Sequence, residues 1–260
     1  GKSTSTASIL RSMVIKPDGS PLPSARVLLI DIHGEYGPAL SDVAKTFSIL
    51  PSGENQLYIP FWCISPDKLI EFLCNNPNDS QRSLFMDKTV DEKRLGIKWN
   101  NIKNIDPEKI TSNTPLPYRL KKLWYDLCHE DSINYNDNAM ATPAYAPNGE
   151  GSFDDLIAPK FLPPGAGTAL PKKGGIGAMK RQLDLMKSRL LDTQYSFLLE
   201  PGDWNPDKDG KIKEDLDGLL EEWLGHDKPI TIFDLSGMPS ARLTLLLGAV
   251  LDIIFESAIW

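Results

Sequence analysis

Apolar residues recur at helical spacing near the start of the chain, where Ile9, Leu10, Met13 and Val14 predict a helix over residues 3–14 with one apolar face. The run PDGSPLPS ends it. Residues 27–30 (VLLI) then form a short unbroken apolar run closed by Asp31, the pattern of a parallel strand buried on both faces. A matching run at 230–233 (ITIF) closes on Asp234. The two are expected in one parallel sheet, with ligands at the carboxyl end of the first. After the second run, Pro239 suits the first turn of a helix in which Leu243, Leu246, Leu247, Val250, Leu251, Ile254 and Phe255 leave little polar face.

Between the strands the pattern weakens. From Thr46 to about Leu199 it reads as irregular: aromatic-rich LYIPFWCIS, a short helix over 66–73 and a polar stretch with many Asn and Asp. A Pro/Gly/Ala-rich segment over 141–173 reads as a long surface loop, followed by a helix over about 176–191. Another helix is expected over about 213–224, where Leu216, Leu219, Leu220, Trp223 and Leu224 keep helical spacing and Gly225 supplies the stop.

Composition narrows the class. With 260 residues, 41% apolar and 24% charged, the chain can bury a substantial core as one large domain or two modest ones. The 21 prolines point to long ordered loops. The apolar run 243–260 is broken by Asp252 and Glu256 too early to span a bilayer, so a buried helix and no membrane association are expected. Cys63, Cys74 and Cys128 are odd in number and lack metal-ligand spacing, which predicts reduced thiols and a cytoplasmic setting. Because the chain opens on Gly1 and stops inside an apolar run, it reads as an internal segment of a longer protein.

The net charge of −7 argues against nucleic-acid binding over the whole surface, so any DNA contact must be local. Lys172, Lys173, Lys180, Arg181, Lys187 and Arg189 form a concentrated basic stretch, with Lys172, Lys173, Lys180 and Arg181 the densest candidates. That stretch fits a pore-facing strip that follows phosphates, and it equally fits a solvated helix face.

Gly1-Lys2-Ser3-Thr4 has the form of the end of a phosphate-binding loop, G-x-x-x-x-G-K-[ST], running straight into the first helix. Such a loop needs backbone N–H groups and a helix N-terminus to cradle phosphates, a lysine to reach them and a hydroxyl for Mg²⁺. So short a match also fits chance. Asp31-Ile32-His33-Gly34-Glu35-Tyr36 gathers three polar side chains at a strand end, where an acid could orient a metal-bound water or act as general base. The same residues also suit a turn in which His33 and Glu35 only hydrogen-bond around Gly34. Residues 205–212 copy the first part of a calcium loop, but Leu216 stands where its bidentate glutamate belongs, which favours a plain turn. Trp62, Trp124, Trp204 and Trp223 read as core residues, and no hydrolase triad spacing is present.

GKST heading a helix, followed by VLLIDIHGEY, resembles the HerA branch of the HerA/FtsK ATPases, whose second strand typically ends in D-P-H-G-E-Y; Ile32 stands where proline is usual. YIPFWCISPDKLIEFL, MKSRLLDTQYSFLL and ITIFDLSGMPSARL resemble further segments of that family, in family order, while residues 89–173 match none. The resemblance implies an α/β fold: a RecA-like P-loop ATPase core with a parallel sheet, interrupted by a long, largely helical and irregular insertion. Residues 1–44 and 200–260 would form the core and 45–199 the insertion. It implies ATP and Mg²⁺ as cofactors, with Gly1, Lys2, Ser3 and Thr4 around the nucleotide; Arg242, just after the second apolar run, suits a place beside a nucleotide of its own or a neighbouring subunit, and as a lone arginine more often a structural role. Asp31 and Glu35 would act as catalytic acids. Asp234 taken alone suits a Mg²⁺ partner beside Ser3, but the family pattern puts the main acid pair one strand later, beyond residue 260. The implied protein is a hexameric ring motor on double-stranded DNA, working with a nuclease or NAD-hydrolase-type effector in DNA-end processing or anti-phage defence. The alternative is a nucleotide-binding ring that mainly scaffolds such an effector. A small-molecule kinase would share GKST and leave DIHGEY unexplained.

Overall fold

A computed structural model describes residues 2–22, 24–50, 55–165, 170–171 and 179–259, the side chains of 171, 240–242, 245 and 256–259 excepted. Its regular elements begin with α1 (Lys2–Val14), β1 (Val27–Asp31), α2 (Tyr36–Ala39), β2 (Ala44–Ser48), α3 (Pro66–Cys74), α4 (Asp79–Trp99) and α5 (Leu120–Ser132). They continue with β3 (Asn134–Tyr135), β4 (Leu170–Pro171), α6 (Lys180–Leu190), α7 (Ser196–Leu199), α8 (Leu216–Leu224), β5 (Ile230–Asp234) and α9 (Ser240–Ile259). The chain forms two compact units: a sheet unit of Gly1–Ile59, Pro201–Trp204 and Lys213–Trp260, and a helical unit of Pro60–Glu200 and Asn205–Ile212.

In the sheet unit, β5 lies between β1 and β2 and pairs parallel with both. The two apolar runs expected to share a sheet are thus direct neighbours, with Val27 opposite Ile230 and Asp31 opposite Asp234. β2 was not legible: AKTFS is short, and its two partly exposed positions, Lys45 and Thr46, hide the strand pattern. Alternation along β5 sends Ile230 and Ile232 to one face, where they pack with Ala7 and Val14 of α1 and with Leu40, Val43 and Ala44. Phe233 turns to the other face, against Phe47 of β2 at 6.1 Å and Trp223 of α8 at 4.8 Å between ring centroids. The face of α1 that packs is Ala7, Leu10 and Val14. Ile9 and Met13, expected to share it, are each 59% exposed, because they fall on the neighbouring helical stripe.

The helical unit corrects the reading of 46–199 as mostly irregular. α4 spans 21 residues of the stretch taken for polar chain. Its buried positions Gln81, Phe85, Thr89, Glu92, Lys93, Gly96 and Ile97 do keep helical spacing, but four of them are polar or charged, so no apolar stripe shows. These polar groups have partners: the Thr89 hydroxyl donates to the Phe85 carbonyl one turn back at 2.8 Å, and Lys93 donates to the carbonyls of Ser112 and Thr114, beyond the helix, at 2.7 and 2.6 Å. Asn78 caps the helix through a reciprocal pair with Gln81, both bonds 2.9 Å. In the expected surface loop, Ala144 and Leu156 are buried and Tyr145 stacks on Phe161 at 4.9 Å, so the described part is packed. α8 begins at Leu216 rather than 213, with the Asp215 carboxylate accepting from the Gly218 amide.

Candidate functional site

The carboxyl ends of the three parallel strands bring Asp31, Ser48 and Asp234 into line. α1 opens in the same unit on Lys2, Ser3 and Thr4, with no acid in its first turn. Its amide end therefore favours anions. Lys2 and Thr4 are exposed and Ser3 is half-buried; Gly1 lies outside the described residues.

Ser3 and Glu35 meet directly, although 32 positions separate them: the Ser3 hydroxyl donates to Oε2 of Glu35. What sets Glu35 there is the turn after β1. Asp31, 2% exposed, accepts on Oδ1 from the amides of His33 (3.1 Å) and Gly34 (2.9 Å) and on Oδ2 from that of Tyr36 (2.8 Å). Gly34 adopts φ +72°, a left-handed conformation that suits glycine, and the turn runs into the four-residue α2.

The loop after β5 lies against this turn. A Cβ on Gly34 would stand 3.1 Å from Oγ of Ser236 and 3.6 Å from Oδ1 of Asp234. Asp234 Oδ1 itself accepts from the Ser236 amide at 2.9 Å, and the Leu235 amide donates to the Asp31 carbonyl at 2.8 Å. Sequence reasoning missed Ser236; the only available signal was its place two residues after a strand-ending Asp. Arg242 falls in the first turn of α9, with its side chain outside what is described.

The basic stretch belongs to the helical unit. Lys172 and Lys173 lie outside the described residues. Lys180 pairs with Asp184 at 2.9 Å and Arg181 is exposed, while Lys187 and Arg189 sit over the rings of Trp124 and Phe72 at 5.7 and 4.9 Å. In the calcium-like loop, Asp207 Oδ1 accepts the amides of Asp209 and Lys211, both at 2.9 Å, which makes it a turn brace. Among the described residues, no group of three or more His, Cys, Asp or Glu is arranged to hold a metal ion. A Mg²⁺ site built from few protein ligands and nucleotide phosphates does not need such a group. The three cysteines are free, and burial pushes the thiols of Cys74 and Cys128 up to about 12.

A helix opening on Lys-Ser-Thr, with an acidic turn at the carboxyl end of a parallel strand held against it, defines a nucleotide site of the P-loop class. Residues 1–254 match the family described as "Helicase HerA, central domain", and the chain belongs to that family. It is accordingly a P-loop ATPase domain of the HerA/FtsK type. No curated protein gives a significant match. No helix among the described residues is long and apolar enough to cross a membrane.

Proposed function

We propose that this chain is the nucleotide-hydrolysing part of a DNA translocase that assembles as a hexameric ring. The observation that carries this reading is the bond between Ser3 and Glu35, which joins the phosphate-loop sequence to the acid-bearing strand end. The sheet unit, which takes in β2 and so runs past the expected boundary at residue 44, supplies the motor core, and the helical unit is an insertion in it. Lys2, the amides of the first turn of α1 and Thr4 hold the phosphates of ATP, with Gly1 closing the loop and Arg242 near the nucleotide. Ser3 gives its single proton to Glu35, so its oxygen lone pairs remain for Mg²⁺. Asp234 lies beside the same turn and supports the metal through its environment. Bound Mg²⁺ would neutralise phosphate charge. Glu35, held on Ser3, shapes the surroundings of the metal and orients the attacking water. Double-stranded DNA is contacted by Lys172, Lys173, Lys180 and Arg181, and a nuclease or NAD-hydrolase-type effector completes the assembly in DNA-end processing or anti-phage defence.

A second reading is a ring that binds nucleotide to hold and activate its effector with little translocation. It is favoured by the engagement of Lys180 with Asp184 and of Lys187 and Arg189 with aromatic rings, which leaves fewer cations for a polyanion. In the full-length protein, ATP turnover should rise on adding duplex DNA and vanish in Lys2→Ala. Turnover indifferent to DNA selects the scaffold, and an active Lys2→Ala removes the P-loop assignment.

A further inference from the structure

Glu35 is exposed and projects from the junction of a turn and a four-residue helix, so nothing in its own element fixes where its carboxylate points. Its place opposite Ser3 is inherited from the three-residue stretch before it. Asp31, by contrast, has both carboxylate oxygens engaged by main-chain donors: His33 and Gly34 on one, Tyr36 on the other. Charge-assisted bonds of this kind are stronger than neutral ones, and three of them on one buried group hold the turn in this conformation. From the other side the turn is seated on Ser236, whose Oγ would stand 3.1 Å from a Cβ at position 34. The Ser236 amide is tied to Asp234 and the Leu235 amide to the Asp31 carbonyl, so this seat is fixed by the central strand.

Resting on the ATPase reading above, we propose that Asp31 is a positioning residue: it braces the turn at residues 33–36 between itself and Ser236, and so holds Glu35 on Ser3 rather than touching metal or water itself. This reassigns the acid expected to act in catalysis directly. In Asp31→Asn, one carboxylate oxygen becomes an NH₂ group facing a main-chain N–H, which loosens the turn while the pocket for phosphate on α1 stays untouched.

The test uses the full-length protein and compares Glu35→Gln, Asp31→Asn and Gly34→Ala for ATP turnover, nucleotide-binding stoichiometry and the Mg²⁺ concentration giving half-maximal rate. Asp31→Asn should lower kcat by about tenfold or more, because a displaced catalytic group loses rate steeply. KM for ATP, binding stoichiometry and the Mg²⁺ midpoint should stay within about twofold, since the interactions lost are absent from ground-state binding. Gly34→Ala, which crowds Ser236 and disfavours the positive φ without altering a carboxylate, should reproduce the kcat loss and serves if Asp31→Asn does not fold. A raised Mg²⁺ midpoint in Asp31→Asn would make Asp31 a metal ligand and overturn the proposal. Normal kcat in either Asp31→Asn or Gly34→Ala, with Glu35→Gln inactive, overturns it as well. Full activity in Glu35→Gln instead sinks the role given to Glu35, and with it the positioning role of Asp31, while Lys2→Ala tests the ATPase reading separately.

Discussion

Each unit buries a carboxylate, and the two are satisfied by opposite means. Asp31 in the sheet unit is met by main-chain amides two, three and five residues ahead of it. Glu92 in the helical unit is met by a guanidinium 27 positions away, with Arg119 donating from Nε at 3.0 Å and from a terminal nitrogen at 2.9 Å. Arg119 is further held over the Trp99 ring at 4.2 Å. A carboxylate surrounded by its own turn shapes a few residues and leaves the neighbouring Glu35 exposed for chemistry. A carboxylate paired across elements ties two helices' surroundings together, both of its oxygens being taken up by one guanidinium. The contrast separates a charge that arranges a site from a charge that holds a fold.

Removing one partner tests that contrast most strongly. Glu92→Ala strands a buried guanidinium and should cost about 3–5 kcal/mol in stability. Urea denaturation gives the loss, and nucleotide affinity of the remaining folded protein should be unchanged. A loss near zero would mean that the pair is replaceable by its surroundings and that the comparison fails.

Lys93 sharpens the same point through pH. Burial pushes its ammonium down to about 8, below the 10.5 of an exposed lysine. Between these values the unfolded chain holds a proton that the folded chain has released, so raising pH through this window favours folding by up to roughly 1.4 kcal/mol per unit. Below about 8 both states are protonated and the contribution no longer changes. Denaturation midpoints measured at pH 8, 9 and 10 should therefore rise in the wild type relative to Lys93→Met, which lacks the group. Parallel curves would show that Lys93 titrates as an ordinary surface lysine.

The smallest expected effect concerns the start of α4. Asn78→Ala removes one half of the reciprocal cap with Gln81 and should lower stability by about 1 kcal/mol. No change in the thermal midpoint would place the helix start under the control of packing instead.

The strands that carry the candidate site could be read in the sequence because VLLID and ITIFD are unbroken apolar runs with an acid at the same end. The helix that supports the phosphate loop was legible in extent but not in orientation, since Ile9 and Met13 proved to face outward. α4 was hidden for a different physical reason. Its inward face is written partly in Gln81, Thr89, Glu92 and Lys93, and periodicity of apolar residues cannot find a face in which polar groups are buried with hydrogen-bond partners. GKST and DIHGEY were visible as separate motifs. The bond between Ser3 and Glu35 was not, because it depends on how α1 lies over the sheet, which no local spacing encodes.

The central position of β5 has a mechanical consequence. It is hydrogen-bonded along both edges, and a slip of one residue against either neighbour would turn Phe233 out of its aromatic cluster and Ile232 out of the α1 face. The three strands therefore behave as a stiff plate, on which Asp31 and Asp234 keep a fixed spacing under load. Beyond the plate the chain leaves it through two turns, each with a glycine at positive φ, Gly34 at +72° and Gly237 at +87°, so the positions where the backbone needs glycine lie just outside the paired register.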